Sequence, residues 1–353
     1  MYPRIEINLK KITDNARVLN ELCKKYGITP WSVTKCFCAD PRIAKAIVDG
    51  GIEYLADSRL SNLIRLKDIE AKKVLLRLPM HSEIDDLVKY VDYSLNSELS
   101  TLRLIGETCE KLGKTHNVVI MIDLGDLREG VWPDDLENFV REAVEIKGIC
   151  IKGFGVNLTC YGGVIPDNDN LGKLVALAKK MDEKFNLNIE IISGGNSSSF
   201  YLLQKGELPK GINNLRFGEV LLLGREAAYC THVDGLHKDA FTLKGQIIEL
   251  KEKPSVPIGK IGLDAFGEKP HYEDRGIIKR AILGMGRQDI ETGAMHPYDS
   301  DIDILGASSD HIILDVTKSQ KPYQVGEIVD FTLDYVCVLK AMTSEYVEKV
   351  IIE

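Results

Sequence analysis

The chain has 353 residues, of which 44% are hydrophobic and 28% charged, the composition of an ordinary soluble globular protein. Its length allows one large domain and a smaller one. The formal net charge of -8 disfavours nucleic acid as a partner. No apolar run approaches the roughly 18 residues that a transmembrane helix needs, so none is predicted.

The eight cysteines indicate reduced thiols rather than a disulfide framework. They are scattered along the chain, and only Cys36 and Cys38 lie close together, with no second pair to complete a zinc site. The first residues, Met1–Glu6, lack the apolar core of a signal peptide. We therefore expect a cytoplasmic protein without a bound metal.

The N-terminal segment predicts a helix, a short buried strand and a second helix. Apolar residues recur at helical spacing over residues 9–26. Trp31–Thr34 is typical of a buried strand, and Lys35 follows at its carboxyl end. Asp40 and Pro41 are typical of the N-cap and first position of the next helix.

Strand patterns then alternate with helical patterns as far as residue 228. The further predicted strands are Glu53–Ala56, Val74–Leu78, Tyr93–Leu95, Val118–Ile122, Ile151–Val156, Ile189–Ile192 and Leu215–Phe217. The segments predicted to hold helices are Arg59–Ile69, Ile84–Val88, Glu98–Leu112, Leu136–Ile146, Leu171–Phe185 and Ser198–Gln204. Eight strand–helix units predict a (β/α)8 TIM barrel. An open doubly wound sheet would usually carry a glycine-rich turn after its first strand, where this chain has Lys-Cys-Phe-Cys.

The remaining residues, 229–353, predict a smaller and mostly β C-terminal domain, after a barrel domain of residues 1–228. The predicted strands are Thr242–Leu250, Arg280–Leu283, Ile302–Leu305, Ile312–Val316, Glu327–Leu333 and Tyr346–Ile351. Several prolines and glycines separate them.

Lys35 stands in an unusual place for an ammonium group, because the residues before it favour a dry environment. If its side chain points into the mouth of a barrel, the neutral amine can form a Schiff base with an aldehyde. The alternative is a strand-end lysine whose side chain extends into solvent.

Polar residues collect at the carboxyl ends of the predicted strands, which is where TIM barrels place their active sites. These strand ends are Lys35, Asp57-Ser58, Asp123–Gly130, Asn157, Ser193–Ser198 and Arg216–Glu219. The turn Ser193–Ser198 combines glycines and serines with a following helix, and Gly218 allows a second close backbone approach, so both favour an anion cradle. A lysine across from a phosphate cradle indicates pyridoxal 5'-phosphate (PLP). The alternative is that Asn196 and the serines only cap the helix.

These motifs, in this order, resemble the alanine racemase family of PLP enzymes over nearly the whole chain. Lys35 falls on the family's cofactor lysine, and Asp123–Gly130 resembles its D-T-G-M-x-R-x-G segment. Asn196-Ser197 matches its phosphate-binding Asn-Ser, and Arg216–Gly218 matches its Arg-Pro-Gly. Ser308–Asp310 lies where the second domain usually has Cys-Met-Asp.

The resemblance implies a PLP-dependent amino-acid racemase that forms a homodimer with shared active sites. It places Arg128 near the cofactor oxygen and the substrate carboxylate, and Arg216 beside the pyridine nitrogen, which an arginine keeps unprotonated. The implied cofactor-binding residues are Lys35, Arg128, Asn157, Asn196, Ser197, Arg216, Gly218 and Glu219. The chain also departs from the family: Ala39 and Asn157 replace a tyrosine and a histidine, and no Tyr-Gly pair stands near 265–267.

Racemisation needs a proton-transferring base on each face of the substrate Cα, which PLP acidifies. Lys35 serves one face. Candidates for the other face are Asp310, His311 and Tyr298, contributed by the second subunit as the resemblance implies. The alternative for Asp310 and His311 is a turn before a strand, with a surface histidine.

Within the family, the resemblance is closest to the branch that acts on ornithine. The loss of the two tyrosines predicts a pocket larger than one fitted to a methyl group. A carboxylate facing the side-chain ammonium would favour ornithine over lysine, and both far over alanine. The acidic candidates are Asp126, Asp289, Asp310 and Glu219, with Asp126 and Asp310 preferred.

Other functions remain open at this point. The chain could be an alanine or broad-specificity racemase. It could instead be a non-catalytic PLP-binding homeostasis protein, although such proteins lack a second domain. Amino-acid decarboxylases of this fold are usually longer and carry a C-terminal cysteine motif that is absent from this sequence.

Overall fold

The computed structural model describes residues 1–352. It divides into two compact units, residues 10–238 and a second unit in which Met1–Leu9 joins the chain from Asp239 onwards. The boundary expected between residues 228 and 229 stays a prediction. Within residues 1–352 every helix is too short or too polar to serve as a membrane span.

A closed barrel of eight parallel strands forms the larger unit, which confirms the predicted TIM-barrel fold. The chain begins with β1 (Arg4–Asn8) and α1 (Leu9–Lys25). The barrel strands follow as β2 (Thr29–Val33), β3 (Tyr54–Asp57), β4 (Lys72–Leu75), β5 (Tyr93–Asn96), β6 (His116–Met121), β7 (Ile149–Gly155), β8 (Ile191–Ser193) and β9 (Asn214–Phe217). All eight overlap a predicted strand, because each is a short apolar run between turn residues.

Helices alternate with the barrel strands and cover them from outside. They are α2 (Pro41–Asp49), α3 (Leu60–Arg65), α4 (Ile84–Tyr90), α5 (Leu99–Leu112), α6 (Leu136–Ala143), α7 (Asn168–Phe185), α8 (Phe200–Lys205) and α9 (Glu219–Leu223). One buried cluster shows the packing: Leu63 of α3, Leu87 of α4 and Ile105 of α5 meet Leu75 of β4. Such burial contributes roughly 1.5–3 kcal/mol per large aliphatic side chain.

The interior of the barrel is packed with apolar and aromatic side chains. Trp31 is 1% exposed, and its ring lies 5.8 Å from that of Tyr54 and 6.1 Å from that of Tyr93. Val119 and Met121 of β6 join the same cluster. Because the middle of the barrel is filled, polar chemistry is confined to the strand ends.

The second unit is built on an antiparallel sheet. Its elements are β10 (Phe241–Pro254), β11 (Ile277–Leu283), β12 (Met295–Pro297), β13 (Asp303–Ala307), β14 (Ile312–Asp315), β15 (Ile328–Leu333), α10 (Tyr335–Thr343) and β16 (Glu348–Ile352). The strand order is β12-β15-β10-β11-β14-β13. The predicted mostly β character of this region is confirmed.

Strand β1 and helix α10 differ from what the sequence predicts. Strand β1, which the sequence analysis places with the barrel, pairs antiparallel with β10 and parallel with β16 instead. Its backbone hydrogen bonds are thereby satisfied more than 200 residues away in sequence, which no local pattern reveals. Helix α10 is not predicted, because Val336-Cys337-Val338 favours a strand. Burial of Cys337, Val338, Ala341 and Met342 on one side stabilises the helix.

Gly153 on β7 tests how closely the barrel strands pack, and Gly172 on α7 provides the control. Gly153 pairs with Ile191, and a Cβ added to Gly153 would lie 1.9 Å from the Ile191 carbonyl oxygen. We expect Gly153→Ala to lower the free energy of unfolding by about 3 kcal/mol. Gly172 of α7 has nothing within 4 Å of its Cβ position. Gly172→Ala should therefore raise the free energy of unfolding by about 0.5–1 kcal/mol. Urea unfolding measures both, and equal effects would contradict the strand packing described above.

Candidate active site

Lys35 lies just beyond the carboxyl end of β2, in a 3-10 turn that spans Lys35–Phe37. The turn is closed by hydrogen bonds from the Cys38 N–H to the Lys35 carbonyl (3.2 Å) and from the Ala39 N–H to the Thr34 carbonyl (3.1 Å). Cys38 and Ala39 both have φ values in the left-handed region, 52° and 51°. Lys35 is half-buried, and within residues 1–352 its ammonium has no hydrogen-bond or ion-pair partner. The Lys35 backbone is therefore fixed beyond the end of β2, and its side chain is not engaged by another protein group among these residues.

Asp57 anchors the residue that precedes Lys35. This carboxylate is fully buried and accepts hydrogen bonds from the Thr34 hydroxyl (2.5 Å), the Arg59 N–H (2.8 Å) and the Asn62 amide (3.1 Å). Burial raises the pKa of Asp57, and the bond from Thr34 opposes that change. The end of β3 is thus tied to the end of β2, which fixes the backbone from which Lys35 extends.

Asn196 links the turns that follow β7 and β8. Its side-chain oxygen accepts the Ser198 N–H (2.8 Å) and so caps the short helical turn after β8. Its amide nitrogen donates to the Leu158 carbonyl (2.9 Å) and to the Asn157 side-chain oxygen (3.1 Å). Asn157 and Asn196, both predicted as cofactor-binding residues, are therefore in direct contact.

Ser197 links the same turn to the one that follows β9. Its buried hydroxyl oxygen accepts the N–H groups of Gly218 and Val220, both at 3.3 Å. A Cβ on Gly218 would lie 3.5 Å from the Cβ of Val33, the last residue of β2. The predicted cradle therefore borders the strand that leads into Lys35.

Two buried polar atoms near this cradle lack a partner among residues 1–352: the side-chain nitrogen of Asn157 and the hydroxyl of Ser198. Buried polar atoms are nearly always hydrogen-bonded, so such atoms at neighbouring strand ends mark a place for a polar ligand. Gly195 beside them has φ +108°, and a Cβ there would lie 2.8 Å from the Ser199 hydroxyl. The residues present therefore fit the phosphate of PLP.

Arg216 lies inside the barrel, only 3% exposed. It donates from Nη1 to the Ser193 hydroxyl (2.5 Å) and from Nη2 to the Val156 carbonyl (2.7 Å). Burial lowers its pKa to about 10, and the negative charge of Glu129 opposes this shift. Arg216 therefore remains cationic at neutral pH, as its predicted place beside the pyridine nitrogen requires.

Arg128 occupies the loop after β6, and the adjacent Glu129 accepts its Nε and Nη2 donors in a side-on pair. This pair raises the pKa of Arg128. Sequence reasoning missed Glu129, although a carboxylate next to a predicted site arginine was a usable signal.

Three of the acidic candidates for the substrate ammonium are engaged by other groups. Asp126 is 1% exposed, and its oxygens accept the N–H groups of Tyr161 (3.1 Å) and Gly162 (3.0 Å). Both oxygens of this carboxylate are thus engaged by the 160s loop, and its role toward the substrate stays a prediction. The other two expected acids also have protein partners: Glu219 with Arg225 (2.6 Å) and Asp289 with Ser344 (2.7 Å).

Asp310 and His311 form a pair within the second unit. The Asp310 Oδ1 lies 2.8 Å from the His311 Nδ1, and the side chains are 60% and 44% exposed. The hydrogen bond from His311 lowers the pKa of Asp310. The candidate Tyr298 is also exposed, with its hydroxyl 3.3 Å from that of Thr242.

Comparison with known proteins identifies the family. The sequence model of the family described as alanine racemase, N-terminal domain, matches residues 7–226. An ornithine racemase of Acetoanaerobium sticklandii is 53% identical over 350 residues, covering 99% of each protein. The chain belongs to the alanine racemase family. A lysine racemase of Thermotoga maritima is 44% identical over 352 residues, covering 99% of this chain and 98% of that protein.

Solved structures of this family share the fold. An alanine racemase from Streptomyces coelicolor matches with a TM-score of 0.78 and 16% identity, covering 99% of this chain and 98% of that one. An alanine racemase from Bartonella henselae, solved with covalently bound pyridoxal phosphate, matches with a TM-score of 0.75 and 17% identity, covering 99% of both chains. The predictions of the family and of PLP as cofactor are confirmed.

The Asn196 contacts predict how strongly the apoprotein binds PLP. Asn196→Ala removes the cap of the cradle and its link to Asn157, so we expect the dissociation constant for PLP to rise about tenfold or more. Asn138→Ala, which removes an exposed contact with Arg141 on α6, is the matched control and should leave it unchanged. Absorbance titration measures both, and wild-type affinity in Asn196→Ala would contradict the cradle.

Proposed function

We propose that this protein is a PLP-dependent amino-acid racemase whose substrate is ornithine. The free amine of Lys35 beside an anion cradle is the observation that carries the racemase chemistry. The choice of ornithine as substrate is supported by an ornithine racemase and a lysine racemase, which are 53% and 44% identical over nearly the whole chain. None of the eight cysteines, all within residues 1–352, is part of a disulfide, which supports the cytoplasm as the compartment.

When bound, PLP supplies delocalisation of the negative charge that forms on the substrate Cα. Lys35 would hold its aldehyde, the turn at Asn196 and Ser197 its phosphate, and Arg216 would stand beside its ring nitrogen. The freed Lys35 amine would then accept or donate the proton on one face of Cα. Arg128, cationic and half-exposed, would bind the substrate carboxylate.

The second base is proposed to be His311, contributed by the second subunit of a homodimer. Asp310 holds Nδ1 of the imidazole, which leaves Nε2 open to take a proton. In this proposal Asp310 would orient His311. Tyr298 is the other candidate, since its hydroxyl is exposed.

Asp126 remains the proposed acid for the side-chain ammonium of ornithine. Each of its oxygens accepts one N–H, and a carboxylate oxygen can accept two hydrogen bonds, so the group retains capacity for a cation. It also lies two residues from Arg128, which would bind the carboxylate at the other end of the substrate.

The order of substrates tests this assignment. We expect kcat/KM to be highest for L-ornithine, lower for L-lysine and far lower for L-alanine, because only a cationic side chain pairs with a buried carboxylate. Asp126→Asn should lower the ornithine value by tens-fold, the equivalent of about 2 kcal/mol, and change the alanine value little. Asp134→Asn, an exposed aspartate near the same loop, is the control. A protein that turns over L-alanine best is a generic racemase, and the ornithine proposal fails.

Subunit mixing tests the shared site. Lys35→Ala and His311→Gln should each abolish racemisation. If one chain supplies Lys35 and the other His311, random exchange makes half of the dimers hybrids with one intact site, about a quarter of wild-type activity. No recovery, despite subunit exchange verified by mass spectrometry, would place both bases in one chain.

A further inference from the structure

The loop that carries Arg128 and Glu129 has a closed shape. The Asp123 carboxylate accepts the N–H groups of Gly125 (2.9 Å) and Leu127 (3.1 Å), and the Asp123 N–H donates to the Val131 carbonyl (3.1 Å). Gly130 has φ +140°, and a Cβ there would lie 2.3 Å from the Asp123 nitrogen. These contacts bring the loop back to the end of β6, so the two charged side chains extend from an anchored turn rather than a free loop.

The pairing of Arg128 with Glu129 uses one side of the guanidinium only. Nε and Nη2 donate to the two carboxylate oxygens, while Nη1 has no partner among residues 1–352. The Glu129 side chain is 15% exposed and that of Arg128 is 40% exposed. The carboxylate therefore lies inside, and the open end of the guanidinium is accessible to a ligand.

Arg216 belongs to the same electrostatic neighbourhood. Glu129 is the strongest charge opposing the effect of burial on the pKa of Arg216, whereas Arg128 lowers that pKa further. Two arginines near each other repel, and a carboxylate close to both offsets the repulsion.

We propose that Glu129 is a positioning residue for racemisation, which clamps Arg128 so that Nη1 is the end that meets the substrate carboxylate. The inference rests on the proposed function. A clamped guanidinium loses little freedom when substrate binds, which favours the productive orientation.

A double-mutant cycle tests whether Glu129 acts through Arg128. Glu129→Gln should lower kcat/KM for ornithine at least about tenfold, and Glu129→Asp, which keeps the charge, should recover part of it. Combined with Arg128→Lys, the Glu129→Gln change should cost nothing further, because the partner is already altered. Glu142→Gln, which breaks an exposed pair with Arg103 (2.7 Å), is the control and should leave kcat/KM unchanged. Independent, multiplicative losses in the double variant would overturn the proposal.

A second readout does not depend on turnover. Phenylglyoxal modifies guanidinium groups, and a side-on carboxylate protects them, so Arg128 should be modified at least about threefold faster in Glu129→Gln than in wild type. Peptide mass mapping measures this rate, with Glu142→Gln as control and thermal unfolding as a check that each variant is folded. An unchanged rate overturns the positioning role. A wild-type protein that racemises no amino acid contradicts the proposed function instead, so the two failures are distinguishable.

Discussion

Strands β2 and β9 are the first and last strands of the barrel, and their parallel pairing closes it. Trp31 stands beside Arg216 in this pairing, and Gly218 approaches Val33 just beyond it. The closure brings the turn of Lys35 next to the cradle built from the turns after β7, β8 and β9, although these segments are far apart in sequence. If β9 did not pair with β2, Lys35 and the proposed phosphate site would belong to opposite edges of an open sheet.

Buried charge at this closure is tolerated because each group has fixed partners. An isolated guanidinium transferred from water into the barrel would cost many kcal/mol. Arg216 instead donates to a hydroxyl at the end of β8 and to a backbone carbonyl just after β7, and it stays cationic with a pKa of about 10. The buried Asp57 carboxylate likewise accepts hydrogen bonds from a hydroxyl, an amide and a backbone N–H. The same bonds that stabilise these charges also fix the strands that carry Lys35 and the cradle.

The sequence predicts the barrel because the signals for its strands and helices lie within short stretches of the chain. Each barrel strand is a short apolar run bounded by turn residues, and Asp40 caps α2 as the Asp-Pro pair indicates. Lys35, Asn157, Asn196, Ser197 and Gly218 were expected at strand ends, and the structure brings the last four into one bonded group. Their roles, and that of Arg216, came from resemblance to a family rather than from spacing alone.

What local patterns could not predict depends on distant or three-dimensional partners. Strand β1 joins the second unit through pairing with β10 and β16, and α10 forms in a β-favouring segment because its apolar side is buried. Asp126 is a candidate acid in the sequence, but only the structure shows that its oxygens accept two backbone N–H groups from the 160s loop. The sequence does not identify Glu129 as a site residue, because its contact with Arg128 depends on the direction of the Arg128 side chain.

The most direct test of this account is to reduce the PLP-loaded wild-type protein with borohydride and map the modified lysine by mass spectrometry. We expect one cofactor fixed per chain, on the peptide that contains Lys35, and no such label in Lys35→Ala. A cofactor fixed on any other lysine, or equal labelling of Lys35→Ala, would contradict the assignment of Lys35 and with it the site described here.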